Sequence, residues 1–221
     1  KQYDSATKYL RSALLKNLKK NTKARTMFIL GQIYEYQGNN ERATEQFKSV
    51  IKKHPGYEMT FESQMNLARC HDSEDTTSLM KMFRKMLKDS KNTEYKDRIF
   101  YAMSDVALKR NNEELGIKYL RQSVATSTTN NKQKVKSALK VASMLFDNKD
   151  YILSQAYYDT VVMTMDRSYP EYDSLLNLSV MLSDLVENLT TYQLQDSLLR
   201  LANMDSVSRN KIILGVIEDY K

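Results

Sequence analysis

The chain is poor in the residues that interrupt helices. Its 221 residues include 5 glycines and 2 prolines. Lys, Glu, Leu, Gln and Met are frequent and long β-branched runs are missing, which excludes a sheet-rich protein and points to an all-α fold. Cysteine occurs once, at Cys70, so neither an intrachain disulfide nor a cysteine-based metal cluster can form. No apolar run approaches the roughly 20 residues that span a bilayer as a helix. No signal peptide is expected within the stretch given, and any targeting signal of a longer chain would lie outside it. The sequence opens inside a helix-like stretch, "KQYDSATKYLRSALLKNLKK", so it is expected to be an excised piece of a longer chain.

Catalytic constellations are also missing. The 2 histidines, His54 and His71, form no His-Glu-x-x-His arrangement. Cys70 and His71 are adjacent, and adjacent helix residues point about 100° apart, so they do not share the face that a nucleophile and its base need. No phosphate-binding glycine loop exists. The chain is therefore not expected to be an enzyme, and no catalytic, cofactor or metal residue is assigned.

What is present is an uneven positive charge. The net charge is +7; residues 1–60 hold 12 basic and 5 acidic side chains, and residues 131–221 hold 10 and 12. A basic end can meet an acidic partner or nucleic acid. Nucleic-acid binding would show a steep salt dependence. The charge fades along the chain and does not follow one stripe, which favours a protein partner and no nucleic acid.

A repeat organises the rest. Counting from Leu30-Gly31, the chain offers Tyr34, Ala43, Phe47, Val50 and Pro55 in order. These are the positions of the tetratricopeptide pattern, whose period is about 34 residues. Met27 stands in for the usual Trp and Val50 for the last Ala. Residues 24–57 thus read as one complete pair of antiparallel helices. Gly31 is expected to face Ala43 and let the backbones approach, with Tyr34 and Phe47 filling the space beside them. Gly38 is expected to take a left-handed C-cap, Asn40 to N-cap the second helix, and Pro55 to stop it.

Weaker copies surround it. Residues 1–20 read as a second helix alone, with Ala6, Leu10 and Ala13 in the small-large-small slots. Further repeats run about 58–92, packed by Met65, Met82 and Met86, about 97–130, with Ser104 at the glycine position and Gly116, Leu120 and Ser123 on the second helix, and about 135–168, with Ala142, Leu145, Ser154, Tyr158 and Val161. Residues 1–168 are read as the array. Residues 169–221, where Leu175, Leu178, Leu182, Leu185 and Leu189 recur three or four apart, are read as C-terminal capping helices. The fold class is an all-α tetratricopeptide-repeat solenoid with a C-terminal helical capping segment. Most of the 15 tyrosines and 12 methionines are read as packing residues within it.

A helix array exposes a concave face lined by the first helix of each repeat. The outward positions there are Arg25, Phe28, Gln32 and Glu35 in the first full repeat. They are Arg98, Tyr101, Asp105 and Leu108 in the 97–130 repeat, and Lys136, Leu139, Ser143 and Phe146 in the last. Arginine and aromatic residues are favoured at protein contacts, so a protein-binding surface is assigned to Arg25, Phe28, Gln32, Glu35, Arg98, Tyr101, Asp105 and Lys136.

Segments that the repeat does not demand carry a narrower likeness. "VATSTTNN" and "LQDSLLRLA", together with "FILGQIYEYQGNNERATEQFKSVIKKHPGYEM" and "YPEYDSLLNLSVMLSDLVENL", resemble the SprE/PorW lipoproteins of the type IX secretion system in Bacteroidota. The resemblance covers nearly the full chain. It implies a periplasmic, outer-membrane-associated scaffold that links periplasmic ring proteins to the outer-membrane translocon, needed for secretion and, in gliding species, motility. It implies membrane attachment only through a lipid anchor, and Cys70 lies mid-repeat and cannot carry it. The alternatives are a generic peptide-binding adaptor of the same repeat class and, after it, a nucleic-acid-binding helical repeat module.

Overall fold

The computed structural model describes residues 2–70 and 76–219. Among them every regular element is a helix: eleven α-helices and one 3₁₀ segment. None of these helices is long and apolar enough to cross a membrane. The chain divides into two compact units, residues 1–141 and 142–221.

In the first unit, α1 (Gln2–Leu14) packs on α2 (Lys20–Tyr36). Its Leu10 and Leu14 reach the core, and Tyr3 meets Tyr36 with ring centroids 4.6 Å apart. α2 pairs with α3 (Asn40–Lys53), and α4 (Tyr57–Cys70) and α5 (Thr77–Lys88) follow. A 3₁₀ turn (Ser90–Tyr95) leads to α6 (Lys96–Lys109), which pairs with α7 (Glu113–Thr126). α8 (Asn131–Asp147) carries the chain from the first unit into the second. A continuous core runs through α2 to α6, with Leu10 and Leu14 of α1 and Tyr119 of α7 packed against it. Leu30, Phe47, Phe83, Ile99 and Met103 are among its least exposed side chains. Met65 and Met86 are buried and Met82 is partly buried against them, as the sequence suggests.

The turn between the two helices of a pair is the same three times. Gly38, Asn111 and Lys149 have φ of 74°, 54° and 63°, the left-handed region. The next residue donates its backbone N–H back across that turn: Asn39 to Tyr34 O at 2.8 Å, Asn112 to Ala107 O at 3.1 Å, Asp150 to Leu145 O at 2.9 Å. This is the Schellman arrangement that satisfies the last carbonyls of a helix. The same residue then caps the next helix. The side chains of Asn39, Asn112 and Asp150 accept from the backbone N–H of Arg42, Leu115 and Leu153 at 3.2, 3.1 and 3.3 Å. The N-cap is therefore Asn39, not Asn40, because the residue after the left-handed one must serve both helices. In the 58–92 repeat residues 71–75, His71 among them, lie outside the described residues. Cys70, the residue before it, is buried.

Gly31 has a different neighbour from the expected one. A Cβ built on it would lie 2.9 Å from Cε1 and 3.0 Å from Cζ of Phe47, whose ring is fully buried. Ala43, also fully buried, is not the nearest group. The close approach is thus a helix backbone seated on an aromatic ring. Phe28 adds an edge contact to that ring, with centroids 5.9 Å apart.

In the second unit, the remaining part of α8 pairs with α9 (Tyr151–Thr164), where Ser154 Oγ donates to Ala142 O at 2.9 Å. Both residues are fully buried, so small side chains let the two backbones bond directly. α10 (Tyr172–Ala202) lies on α9 along its first turns, burying Ser179 and Leu182. α11 (Ser206–Asp219) follows it.

Two outcomes check these local readings. Gly31→Leu forces a side chain into the Phe47 ring and should lower unfolding free energy by about 3 kcal/mol; an unchanged urea midpoint would sink the close-approach account. Lys149→Gly relieves a left-handed lysine and should raise stability by about 0.5–1 kcal/mol in the same measurement, whereas a loss would mean that the lysine side chain holds the turn.

Candidate protein-binding face

The first helices of successive pairs lie side by side in the first unit, α2 against α4 and α4 against α6. Their facing edges carry opposite charges one repeat apart. Arg69 Nε donates to Glu35 Oε1 at 2.6 Å, 34 positions away. Arg98 meets both carboxylate oxygens of Glu62 at 2.7 and 2.8 Å, 36 positions away. Lys140 Nζ meets Asp105 Oδ1 at 2.7 Å, 35 positions away. Each pair is partly exposed and contributes about 0.2–1 kcal/mol. Together they fix the register of neighbouring first helices more than they stabilise the fold.

Aromatic rings continue the ladder. The Arg98 guanidinium lies 5.2 Å from the centroid of Phe61. Lys136 and Lys140 both sit over Tyr101, at 4.4 and 5.2 Å from its centroid. A cation over an aromatic face is attracted by the ring quadrupole. The hydrogen bond from Arg98 to Glu62 raises the arginine pKa against the opposing effect of burial. Partial burial lowers the pKa of Lys136, and the nearby Arg69, Lys140 and Arg98 push the same way, with Asp105 opposing them. Burial, then the Asp105 charge, pushes the Tyr101 phenol up to about 12.

The eight assigned residues therefore divide into two groups. Glu35, Arg98, Asp105, Tyr101 and Lys136 belong to the ladder between first helices. Arg25, Phe28 and Gln32 line a cleft of about 430 Å³ between α2 and α4, opposite Glu58, Met59 and Glu62. Arg25 and Gln32 are exposed, while Phe28 is half-buried against Phe47. Of the further outward positions, Leu108 and Phe146 do not join either group. The Leu108 side chain lies against Gly116 of α7, and Phe146 stacks edge-on with Tyr151 in the second unit.

Glu62, Arg69 and Lys140 do not emerge from counting outward positions, since their partners are on neighbouring helices. Opposite charges spaced 34 to 36 residues apart are the signal that would have found them. The buried Asp97 is a further omission. Its carboxylate accepts from Ser127 Oγ at 2.9 Å, its carbonyl accepts from Ser123 Oγ at 2.7 Å, and Ser123 is in turn 2.7 Å from Ser137. This chain of hydroxyls ties the "ATSTTNN" connection to the start of α6.

The raised Tyr101 pKa has a testable consequence. The unfolded phenol ionises near its ordinary value of 10.0 and the folded one only near 12. Stability is therefore fully present below pH 10 and is lost as pH rises towards 12. Tyr101→Phe should flatten that part of the stability profile and remove a component of the 295 nm absorbance that titrates above pH 10; loss of a component that titrates near pH 10 instead would mean that the phenol is not shielded.

Comparison with known proteins bears on the same region. No curated protein matches the chain. A family model, the tetratricopeptide repeat, matches residues 25–57. That segment contains α2 beyond its first turn, the Schellman turn and all of α3. With every described element helical and one tetratricopeptide repeat matched at residues 25–57, the chain is an all-α protein of antiparallel helix pairs, consistent with a tetratricopeptide-repeat solenoid.

Proposed function

We propose that the chain is a non-enzymatic scaffold that holds a segment of another protein along the first helices of residues 1–141. Tetratricopeptide repeats are protein-interaction modules, and an all-helical fold of this type is typically a scaffold without catalysis. The observation that carries the reading is the α2–α4 cleft, which joins exposed Arg25 and Gln32 to an aromatic wall and to carboxylates. Its volume suits one or two side chains of a bound segment. Backbone and side-chain polar groups of an extended peptide would find both donors and acceptors there.

The finer part of the proposal is a place in type IX secretion and gliding. The partners would be periplasmic ring proteins and the outer-membrane translocon, and the location would be periplasmic and outer-membrane-associated. The "VATSTTNN" and "LQDSLLRLA" segments support this, since neither is required by the repeat. A generic peptide-binding adaptor fits the cleft equally well.

Arg25→Glu combined with Gln32→Ala should reduce capture of the ring proteins in a pull-down at least tenfold with the melting temperature unchanged. Unchanged capture would remove this face from the contact. Arg98→Glu is a poorer probe, because it places a second carboxylate against Glu62. Capture of no component of the machine by the unaltered chain would leave only the generic adaptor.

A further inference from the structure

The first unit holds a second cavity, of about 410 Å³, between α4 and α5. It shares no lining residue with the α2–α4 cleft. The connection from α5 to α6 builds one wall of it, through the 3₁₀ turn Ser90–Tyr95 that the α3-to-α4 connection lacks. Asn92 pins this turn. Its buried amide donates to Met86 O at 2.8 Å, and its side-chain oxygen accepts from the Tyr57 hydroxyl. The floor is apolar, with Phe61, Met82 and Met86. Gln64 enters the cavity half-buried and has no hydrogen-bond partner among the described residues.

The rim is basic. Met82, Lys85, Met86 and Asp89 are the α5 residues that line the cavity. At about 100° per residue, Lys85, Lys81, Lys88 and Arg84 follow one another around the helix, away from its buried side. All four are exposed, α5 contains no acid, and none of the four has an ion-pair partner among the described residues. The ladder cations Arg69, Arg98 and Lys140 each have one. A helix C-terminus favours cations in its last turn, which accounts for Lys85 and Lys88 but not for Lys81 and Arg84.

We infer that this cavity and its basic rim bind an acidic segment of a partner protein, with one apolar side chain in the cavity and carboxylates on the α5 stripe. Charge complementarity selects the partner. Lys81 and Lys85 are about 6 Å apart along the helix axis, close to the roughly 6.6 Å between alternate residues of an extended chain. Acids at alternate positions therefore meet successive lysines. Asp89 lines the cavity and turns carboxylates away from it onto the stripe, so the group that enters is uncharged. The free amide of Gln64 offers a donor and an acceptor to the segment's backbone. A membrane fits less well, because α5 exposes no large apolar side chain to enter a bilayer interface. A nucleic-acid strand also fits less well, since Lys81 to Lys88 span only about 10 Å of helix and form no groove that tracks a backbone.

Fluorescence anisotropy of the 221-residue chain with short dye-labelled peptides tests this. The probes are a peptide of alternating glutamate and glycine with one central phenylalanine, and the same peptide with glycine at the centre. The phenylalanine peptide should bind at least tenfold more tightly, and its binding should weaken as added salt screens the lysines. Lys81→Glu with Lys85→Glu should weaken it at least tenfold, with helix content unchanged by circular dichroism. Gln64→Trp, which fills the cavity, should erase the preference for the phenylalanine peptide. Lys48→Glu with Lys52→Glu, the same charge change on exposed residues of α3, should leave binding within threefold, as should Arg25→Glu in the α2–α4 cleft. Binding of neither peptide, or equal binding of both, overturns the inference. So does an equal loss in the α3 variant, which would make the attraction one of net charge alone. Tighter binding to phosphatidylglycerol vesicles or to a single-stranded oligonucleotide, lost in the Lys81/Lys85 variant, overturns the protein partner in favour of that surface.

Discussion

The turn from first to second helix is the constraint on which the architecture rests. One residue in the left-handed region reverses the chain, and the next residue closes the old helix and caps the new one. Because Asn39, Asn112 and Asp150 do both tasks, no slack separates the two helices. The pair is then obliged to be antiparallel and close. Closeness in turn demands small groups where the helices meet, which Gly31 supplies against Phe47, Gly116 against Leu108, and Ser154 against the carbonyl of Ala142. Side chains that are large elsewhere on those helices fill the remaining space and become the core.

Close pairs present their first helices to one another at the repeat spacing, and this creates the ion-pair ladder. None of its pairs is strong by itself, since all are partly exposed. Their significance is positional. Glu35–Arg69, Glu62–Arg98 and Asp105–Lys140 each span one repeat, so a sliding or rotating first helix would break its bond to the next. A surface held in register this way is suited to a long, extended partner, because contacts on α2 and on α6 stay a set distance apart. The α2–α4 cleft sits beside the ladder and shares Glu62 with it.

The second unit follows the same pairing rule at α8 and α9 but departs from it afterwards. α10 has 31 residues, about twice the length of the other helices, and only its first part meets α9. Its seven-residue spacing differs from the small-large-small pattern of the pairs.

Sequence alone determined the helical class, the pairing of α2 with α3, and most of the buried positions. The reason is local: the period of apolar residues, the small residues at fixed offsets and the Gly/Asn turn chemistry act within about 34 residues. It also placed Arg25, Phe28 and Gln32 on a shared surface, because helix geometry sets which side chains point the same way. Tertiary structure decided what those rules cannot reach. Which group lies nearest Gly31 depended on how α2 and α3 pack, and it is the Phe47 ring where Ala43 was expected. Whether an outward residue is free for a partner depended on the neighbouring first helix, which claimed Glu35, Arg98 and Asp105 for ion pairs and left the α2–α4 cleft open. Facing charges come from segments more than 30 residues apart, and only their packed separation turns them into bonds.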